Sequence, residues 1–288
     1  MIMDKRHSPL TSWHAFEERW GGLHNCLMVD ELVREIPVSY KFPPLEDIID
    51  AVRTDEKAIF RSGVKSKDFD LTDISSDFRA MPISVAIQSR FILAHFQLHR
   101  RFGGPGQIFE GLEEQWVEPW RRALASHGFT FSNVFSILFA AGPHSATNYH
   151  MDYTQQLAWQ LYGAKHWGGL LEPDRWTTVE QRTNVKLEGM SRPPGITSSD
   201  VYTITQHPGT VLWNPMTIPH WVETFDAPAL TLTLVHSNLR YRGELCAHGQ
   251  DRERRLATTG PPSPQHDPTS MSSGNAGSAQ SMSQRGRL

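Results

Sequence analysis

The segment Ala229-Leu-Thr-Leu-Thr-Leu-Val-His236 constrains the fold of this chain more than any other stretch. It has the clearest period-two alternation in the sequence, and that period belongs to an extended strand rather than a helix. The segments around it carry the same character. Phe129 to Ala141 is rich in Phe, Val and Ile and reads as a buried strand. Gln155 to Tyr162 continues in strand, Gly163-Ala164 makes a turn, and Lys165 to Leu171 is expected to pair back on it. Val201 to Gln206 alternates, Pro208-Gly209-Thr210 turns, and Val211 to Asn214 is a further strand. Pro173 to Ser199, broken at Pro193-Pro194-Gly195, reads as a long irregular insertion.

The first third has a different period. His14 to Trp20 and Leu45 to Val52 show helical apolar spacing. Pro82 suits the first turn of a longer helix running from about Ile83 to Arg101, closed by Gly103-Gly104-Pro105-Gly106. Leu112 to Ser126 reads as one more helix, kinked at Pro119. The organisation expected is therefore a helical support region over 1–128, a β-barrel or sandwich over 129–248, and a tail over 257–288. Thr258 to Leu288 is rich in Ser, Gly, Pro and Gln, and buries too little apolar area to offset the entropy of ordering it.

Composition narrows the functional classes. A net charge of −3 and a pI near 6.5 give no basic field for nucleic acid or an anionic membrane. Cys26 and Cys246 are too few for a disulfide framework, which suits a reducing compartment. Met1 to Trp13 has no apolar core of a signal peptide, and Val134 to Ala141 is too short to span a bilayer. A cytoplasmic protein is expected.

The chemistry is carried by His150-Met-Asp152 and, 70 residues after the first histidine, His220. Two histidines and a carboxylate in this order match the facial triad that holds non-haem Fe(II) and leaves coordination positions open. In a strand, His150 and Asp152 point to one face, and a barrel can bring the strand that follows Pro219 beside them. H-x-D alone is a common triplet, and each residue has a plain structural alternative: a hydrogen-bonded core histidine, or an aspartate capping a turn. Lys165, fifteen residues after His150, adds weight.

The stretch Thr147 to Trp167, together with Pro208 to Pro215 and Pro219-His220-Trp-Val-Glu-Thr224, resembles the JmjC and cupin-like 2-oxoglutarate oxygenases. It looks most like their small, asparaginyl-hydroxylase-like branch, over roughly Phe129 to Asn238. The resemblance implies a mainly β protein with α elements: a double-stranded β-helix (cupin or jelly-roll barrel) on an N-terminal helical region. It implies that His150, Asp152 and His220 bind Fe(II), and that Lys165 pairs with the distal carboxylate of the cosubstrate 2-oxoglutarate. Inside a barrel an unpaired carboxylate would be costly, which suits a lysine there. Thr147 matches the hydroxyl that assists that carboxylate, and Gln156 matches a polar position near the cosubstrate. The pattern departs on the strand after His220, where relatives often place an Asn. Here Val235 or His236 falls in that register, and His236 is expected to face the core. His144, His166 and His207 read as surface or supporting residues.

The activity implied couples decarboxylation of 2-oxoglutarate, to succinate and CO2, with oxidation of a C–H bond by O2. Retention of Asp152 favours hydroxylation or demethylation over halogenation. The substrate expected is an amino acid, a peptide or protein side chain, or a small metabolite. Tyr149, Tyr153, Trp159, Trp167, Trp213 and Trp221 are pocket candidates that serve equally well as core. No nucleic-acid or membrane partner is expected, and a homodimer is compatible with the resemblance. Two rivals stand beside this reading: a metal-dependent cupin that does not use 2-oxoglutarate, and an inactive JmjC-like binding module.

Overall fold

The computed structural model describes residues 8–22, 24–29, 31–34, 39–62, 72–96, 98–183 and 192–259. In chain order the strands are β1 (Cys26–Met28), β2 (Ile59–Ser62), β3 (Thr72–Asp73), β4 (Ile92–Phe96), β5 (Phe129–Thr130), β6 (Asn133–Ala141), β7 (Gln155–Tyr162), β8 (Lys165–Leu170), β9 (Val201–Gln206), β10 (Val211–Asn214), β11 (His220–Thr224), β12 (Ala229–Ser237) and β13 (Arg240–Tyr241). The helices are α1 (Trp13–Arg19), α2 (Glu31–Arg34), α3 (Leu45–Arg53), α4 (Ser75–Ala80), α5 (Ile83–Ala86), α6 (Leu98–Phe102), α7 (Glu118–Ser126), α8 (Pro173–Trp176), α9 (Val179–Thr183) and α10 (Ala247–Thr259). None of the described helices is long and apolar enough to cross a membrane.

An eight-stranded antiparallel sheet in the order β1-β10-β7-β12-β6-β4-β2-β3 faces a three-stranded sheet in the order β11-β8-β9. The segment 144–150 runs beside β11 as an irregular fourth strand. It is joined by bridges Ala146 to Glu223 and His150 to His220, and by Thr147 N–H to the Val222 carbonyl at 2.8 Å. Two facing antiparallel sheets wound in this way form the double-stranded β-helix barrel that the family resemblance implied.

The alternation of β12 acquires a physical meaning here, because both of its faces are buried. Leu230, Leu232 and Leu234 join Trp116, Trp120, Phe16 and Trp213 in the main core, between the large sheet and the helices. Burying each leucine contributes roughly 1.5–3 kcal/mol. Thr231 and Thr233 point the other way, into the barrel, and both line its cavity.

Four sequence expectations need correction. First, Ile83 to Arg101 is not one helix. Helix α5 ends after one turn, and Ile92 to Phe96 is captured as β4 beside β6. A short apolar run does not by itself distinguish strand from buried helix. Its burial alternates, with Leu93 and His95 inside, and Val85 of the expected buried stripe is 54% exposed. The N-terminal region thus adds β1, β2, β3 and β4 to the large sheet as well as helices. Second, β7 and β8 do not form a hairpin: β7 pairs with β10 and β12, and β8 pairs with β9 and β11. Gly163 turns the chain from one sheet to the other at φ 62°, where a Cβ would sit 2.2 Å from the Pro228 carbonyl oxygen. Third, Pro173 to Ser199 begins with α8 and α9 rather than irregular chain, while 184–191 lie outside the described residues. Fourth, Ala257 to Thr259 belong to α10, whose Arg255 reaches Glu180 of α9 at 3.3 Å. The rest of the expected tail lies outside the described residues.

Other elements follow the sequence more closely. Phe129 to Ala141 is strand, interrupted at Phe131-Ser132 where β5 leaves to pair with β13. Leu112 to Ser126 is helical, with a π turn over Glu113–Val117 just ahead of Pro119. A π turn of this kind absorbs an irregularity without ending the helix.

Candidate active site

His150, Asp152 and His220 converge. Their ligand atoms all lie within 4.8 Å of one another, the one such group among the described residues. The H-x-D pair does not sit on a regular strand, as the spacing suggested, but in the connection 142–154 between β6 and β7. Backbone pairing performs the alignment instead. His150 N–H donates to the His220 carbonyl at 3.0 Å, and His220 N–H donates back at 2.9 Å.

Each imidazole is oriented by a carbonyl two residues earlier. His150 Nδ1 is 2.9 Å from the Asn148 oxygen, and His220 Nδ1 is 2.9 Å from the Ile218 oxygen. A carbonyl only accepts, so both rings carry their proton on Nδ1 and present an Nε2 lone pair inward. Burial, reinforced by His150, pushes the His220 pKa down to about 4, which keeps this ring neutral and ready to ligate. Asp152 Oδ2 lies 3.4 Å from His220 Nε2 and accepts from Asn214 Nδ2 at 2.7 Å. The backbone carbonyl of Asp152 accepts from Thr217 N–H at 2.6 Å. Thr217 takes a left-handed conformation, φ 59°, which a β-branched residue rarely adopts and which costs on the order of 1–3 kcal/mol.

The triad opens into a barrel cavity of about 60 Å³ that also carries Lys165, Thr147 and Gln156. All six residues singled out in the sequence therefore meet in one space. Lys165 is buried, and among the described residues it forms no ion pair, Asp152 of the triad being the carboxylate that lines the same cavity. Desolvation alone drives its pKa down to about 7. Its cross-strand neighbours on the same face are Thr224 and Gln206, both uncharged. Thr147 Oγ1 accepts the Val222 N–H at 2.8 Å and keeps its own hydrogen to donate. Gln156 lies opposite Asn214 on β10 and Val235 on β12. Ile92, Leu93, Phe139, Ala140 and Val222 supply the apolar wall.

A wider cleft of about 520 Å³ lies beside the metal end of the barrel. It is bounded by Ile218, whose carbonyl holds His220, by Gln155, and by Glu172, Asp174, Arg182 and His248. Arg182 is paired there with Asp174, and burial lowers the His248 pKa.

Of the six aromatic candidates only Trp167 lines the barrel cavity. Trp159 packs on Trp116 and Trp120, Trp213 on Phe16, and Tyr149 on Trp221 outside the small sheet. His236 faces the helices, accepting from Trp120 Nε1 at 2.6 Å, so the register places Thr231 and Thr233 at the cavity instead. His144 is exposed and 3.4 Å from Asp226, His166 meets Thr205 at 3.1 Å, and His207 is exposed. Asn214, Thr224, Thr231, Thr233 and Gln206 went unnoticed in the sequence. Only their strand register, set by pairing, assigns them to the site.

Two facing sheets with the triad at one end and a buried lysine in the cavity make up a double-stranded β-helix barrel. Among solved structures, that of YcfD from Escherichia coli shares the fold with a TM-score of 0.52 and 13% identity, covering 94% of this chain and 63% of that one. The ribosomal oxygenase YcfD in complex with cobalt and 2-oxoglutarate gives a TM-score of 0.50 and 13% identity, covering 94% and 62%. This chain thus spans less than two thirds of the length of those proteins, and the likeness is one of fold. No protein-family model and no curated protein matches the sequence.

Proposed function

We propose that this chain is an Fe(II)- and 2-oxoglutarate-dependent dioxygenase that hydroxylates a C–H bond of an amino acid, a peptide or protein side chain, or a small metabolite. Substrate, O2 and 2-oxoglutarate give the alcohol, succinate and CO2. The observation that carries this reading is Lys165: a buried lysine that forms no ion pair among the described residues, in the same cavity as the triad. A metal-dependent cupin that works without a dicarboxylate has no need of that cation. The complex of YcfD with cobalt and 2-oxoglutarate offers a precedent on the same fold.

Each residue has a task in this reading. His150 and His220 present Nε2, and Asp152 presents its carboxylate, which Asn214 holds by Oδ2. When bound, the iron supplies the O2 and one-electron chemistry that protein side chains lack. Lys165 accepts the distal carboxylate of 2-oxoglutarate, and Thr147 donates its hydroxyl hydrogen to it. The Gln156 amide borders the same space. The apolar wall excludes water and strengthens each of these charge interactions.

Anaerobic titration of the apoprotein with Fe(II) and 2-oxoglutarate tests the proposal. The expected result is a visible metal-to-ligand charge-transfer band that is lost in His150→Ala. Metal binding without the band would point to a cupin of other chemistry, and no metal binding would point to a binding module.

A further inference from the structure

We propose that Gln206 is a positioning residue for the metal centre: through the indole of Trp167 it fixes the plane of the His220 imidazole. This rests on the assignment of a metal to the triad.

Gln206 closes β9 at the deep end of the barrel and is fully buried. Its Nε2 donates to the Ala158 carbonyl at 2.7 Å and to the Thr210 carbonyl at 3.3 Å. Its Oε1 accepts from Trp167 Nε1 at 2.8 Å. The orientation of the amide is thereby determined. A flip would set oxygen against two carbonyl oxygens and NH2 against an indole N–H. Ala158 belongs to β7 of the large sheet and Trp167 to β8 of the small one, so the amide spans the barrel and registers one sheet against the other.

Trp167 carries this constraint to the triad. Val222 and Ile204 flank it on the neighbouring strands, and its ring stacks on His220 with centroids 5.3 Å apart and planes 26° apart. The hydrogen bond from Nδ1 to Ile218 anchors one edge of the His220 ring but leaves it free to rock about that edge. The stacked indole removes this freedom and aims the Nε2 lone pair. His150 lies on the ring too, at 4.3 Å but tilted by 50°, and supplies no parallel face. A hydrogen bond two residues removed from the ion thus sets a ligand's direction, the way outer partners tune metal sites.

The test uses the full-length protein and Co(II) as probe, following the affinity and the visible d–d spectrum alongside the thermal midpoint. Gln206→Met keeps the volume and removes the amide, while Trp167→Phe keeps a stacking ring and removes the indole N–H. Each variant should bind Co(II) roughly 10–100-fold more weakly, the loss typical of outer-partner substitutions. Both should alter the spectrum in the same sense, and the double variant should lose less than the two single losses combined, because both act on one linkage. Wild-type affinity and spectrum in a folded single variant overturn the proposal, even if its thermal midpoint falls, since that is the mark of a purely structural amide. Trp167→Phe decides the matter if Gln206→Met does not fold. Wild-type Co(II) binding no different from that of His150→Ala would instead remove the metal assignment, and this proposal with it.

Discussion

Replacing Lys165 by Met should stabilise the protein without ligand while abolishing its response to 2-oxoglutarate. The pKa of Lys165 falls from 10.5 to about 7 on burial. The unfolded chain therefore holds the proton more tightly than the folded one, and folding is penalised wherever the unfolded lysine is charged. Below about pH 7 both states carry the proton and the penalty is complete. Above it the folded state sheds the proton first, so stability rises with pH until about 10.5. At 1.36 kcal/mol per unit, the penalty is bounded by roughly 5 kcal/mol at pH 6 and roughly 2 kcal/mol at pH 9. Methionine has nearly the same length and no charge, so Lys165→Met removes the penalty with little repacking. Urea unfolding at pH 6 and pH 9, with and without 2-oxoglutarate and a redox-inert divalent metal, measures both effects. The variant should gain several kcal/mol at pH 6, gain less at pH 9, and show no added stability from 2-oxoglutarate. The wild type should be stabilised by 2-oxoglutarate, because the distal carboxylate supplies the missing ion-pair partner. A variant less stable than wild type at pH 6, or one still stabilised by 2-oxoglutarate, would refute the reasoning.

Two further outcomes are expected. Asn214→Ala removes the donor that holds Asp152 Oδ2, and should weaken metal binding by roughly 10–100-fold in a chelator competition, with a folding loss of only about 1–3 kcal/mol. Gly163→Ala should cost more than roughly 2 kcal/mol in urea unfolding, because a left-handed conformation is joined by a 2.2 Å clash with backbone; Gly209→Ala, at φ 83° in open space, should cost only about 1 kcal/mol.

The parts of the fold legible in the sequence are those decided locally. The Leu/Thr alternation of β12 gave itself away by period, and α1 and α3 by apolar spacing near their observed bounds. The triad and Lys165, which the fold brings into one cavity, were singled out from residue type and interval together with the family resemblance. What stayed hidden was decided by partners. Ile92 to Phe96 became strand because β6 offered an unpaired edge. The turn at Gly163 looked like a hairpin because nothing local reveals that Pro228 blocks any side chain there. His236 and Thr233 differ in their surroundings only through strand parity, which pairing with β6 and β7 sets. Asn214 and Gln206 have ordinary spacing, and their roles exist only across strands.

The site gathers features that oppose folding. Lys165 is buried without an ion pair among the described residues, and Thr217 is held left-handed. The buried Thr217 Oγ1 and Asn214 Oδ1 have no hydrogen-bond partner among those residues either. These features fall within the cavity and the segment Asn214 to His220, and the main core on the outer face of the large sheet has its own buried nitrogens without a partner among the described residues, at Trp13, Trp116 and Trp213. Under the proposed function, the uncharged neighbours of Lys165, Thr224 and Gln206, have a purpose. A carboxylate at either position would satisfy the lysine permanently and compete with any dicarboxylate entering the cavity. An uncharged amide at Gln206 can hold Trp167 against His220 and still leave the cation for its ligand. Neutrality at that position therefore serves both halves of the site at once.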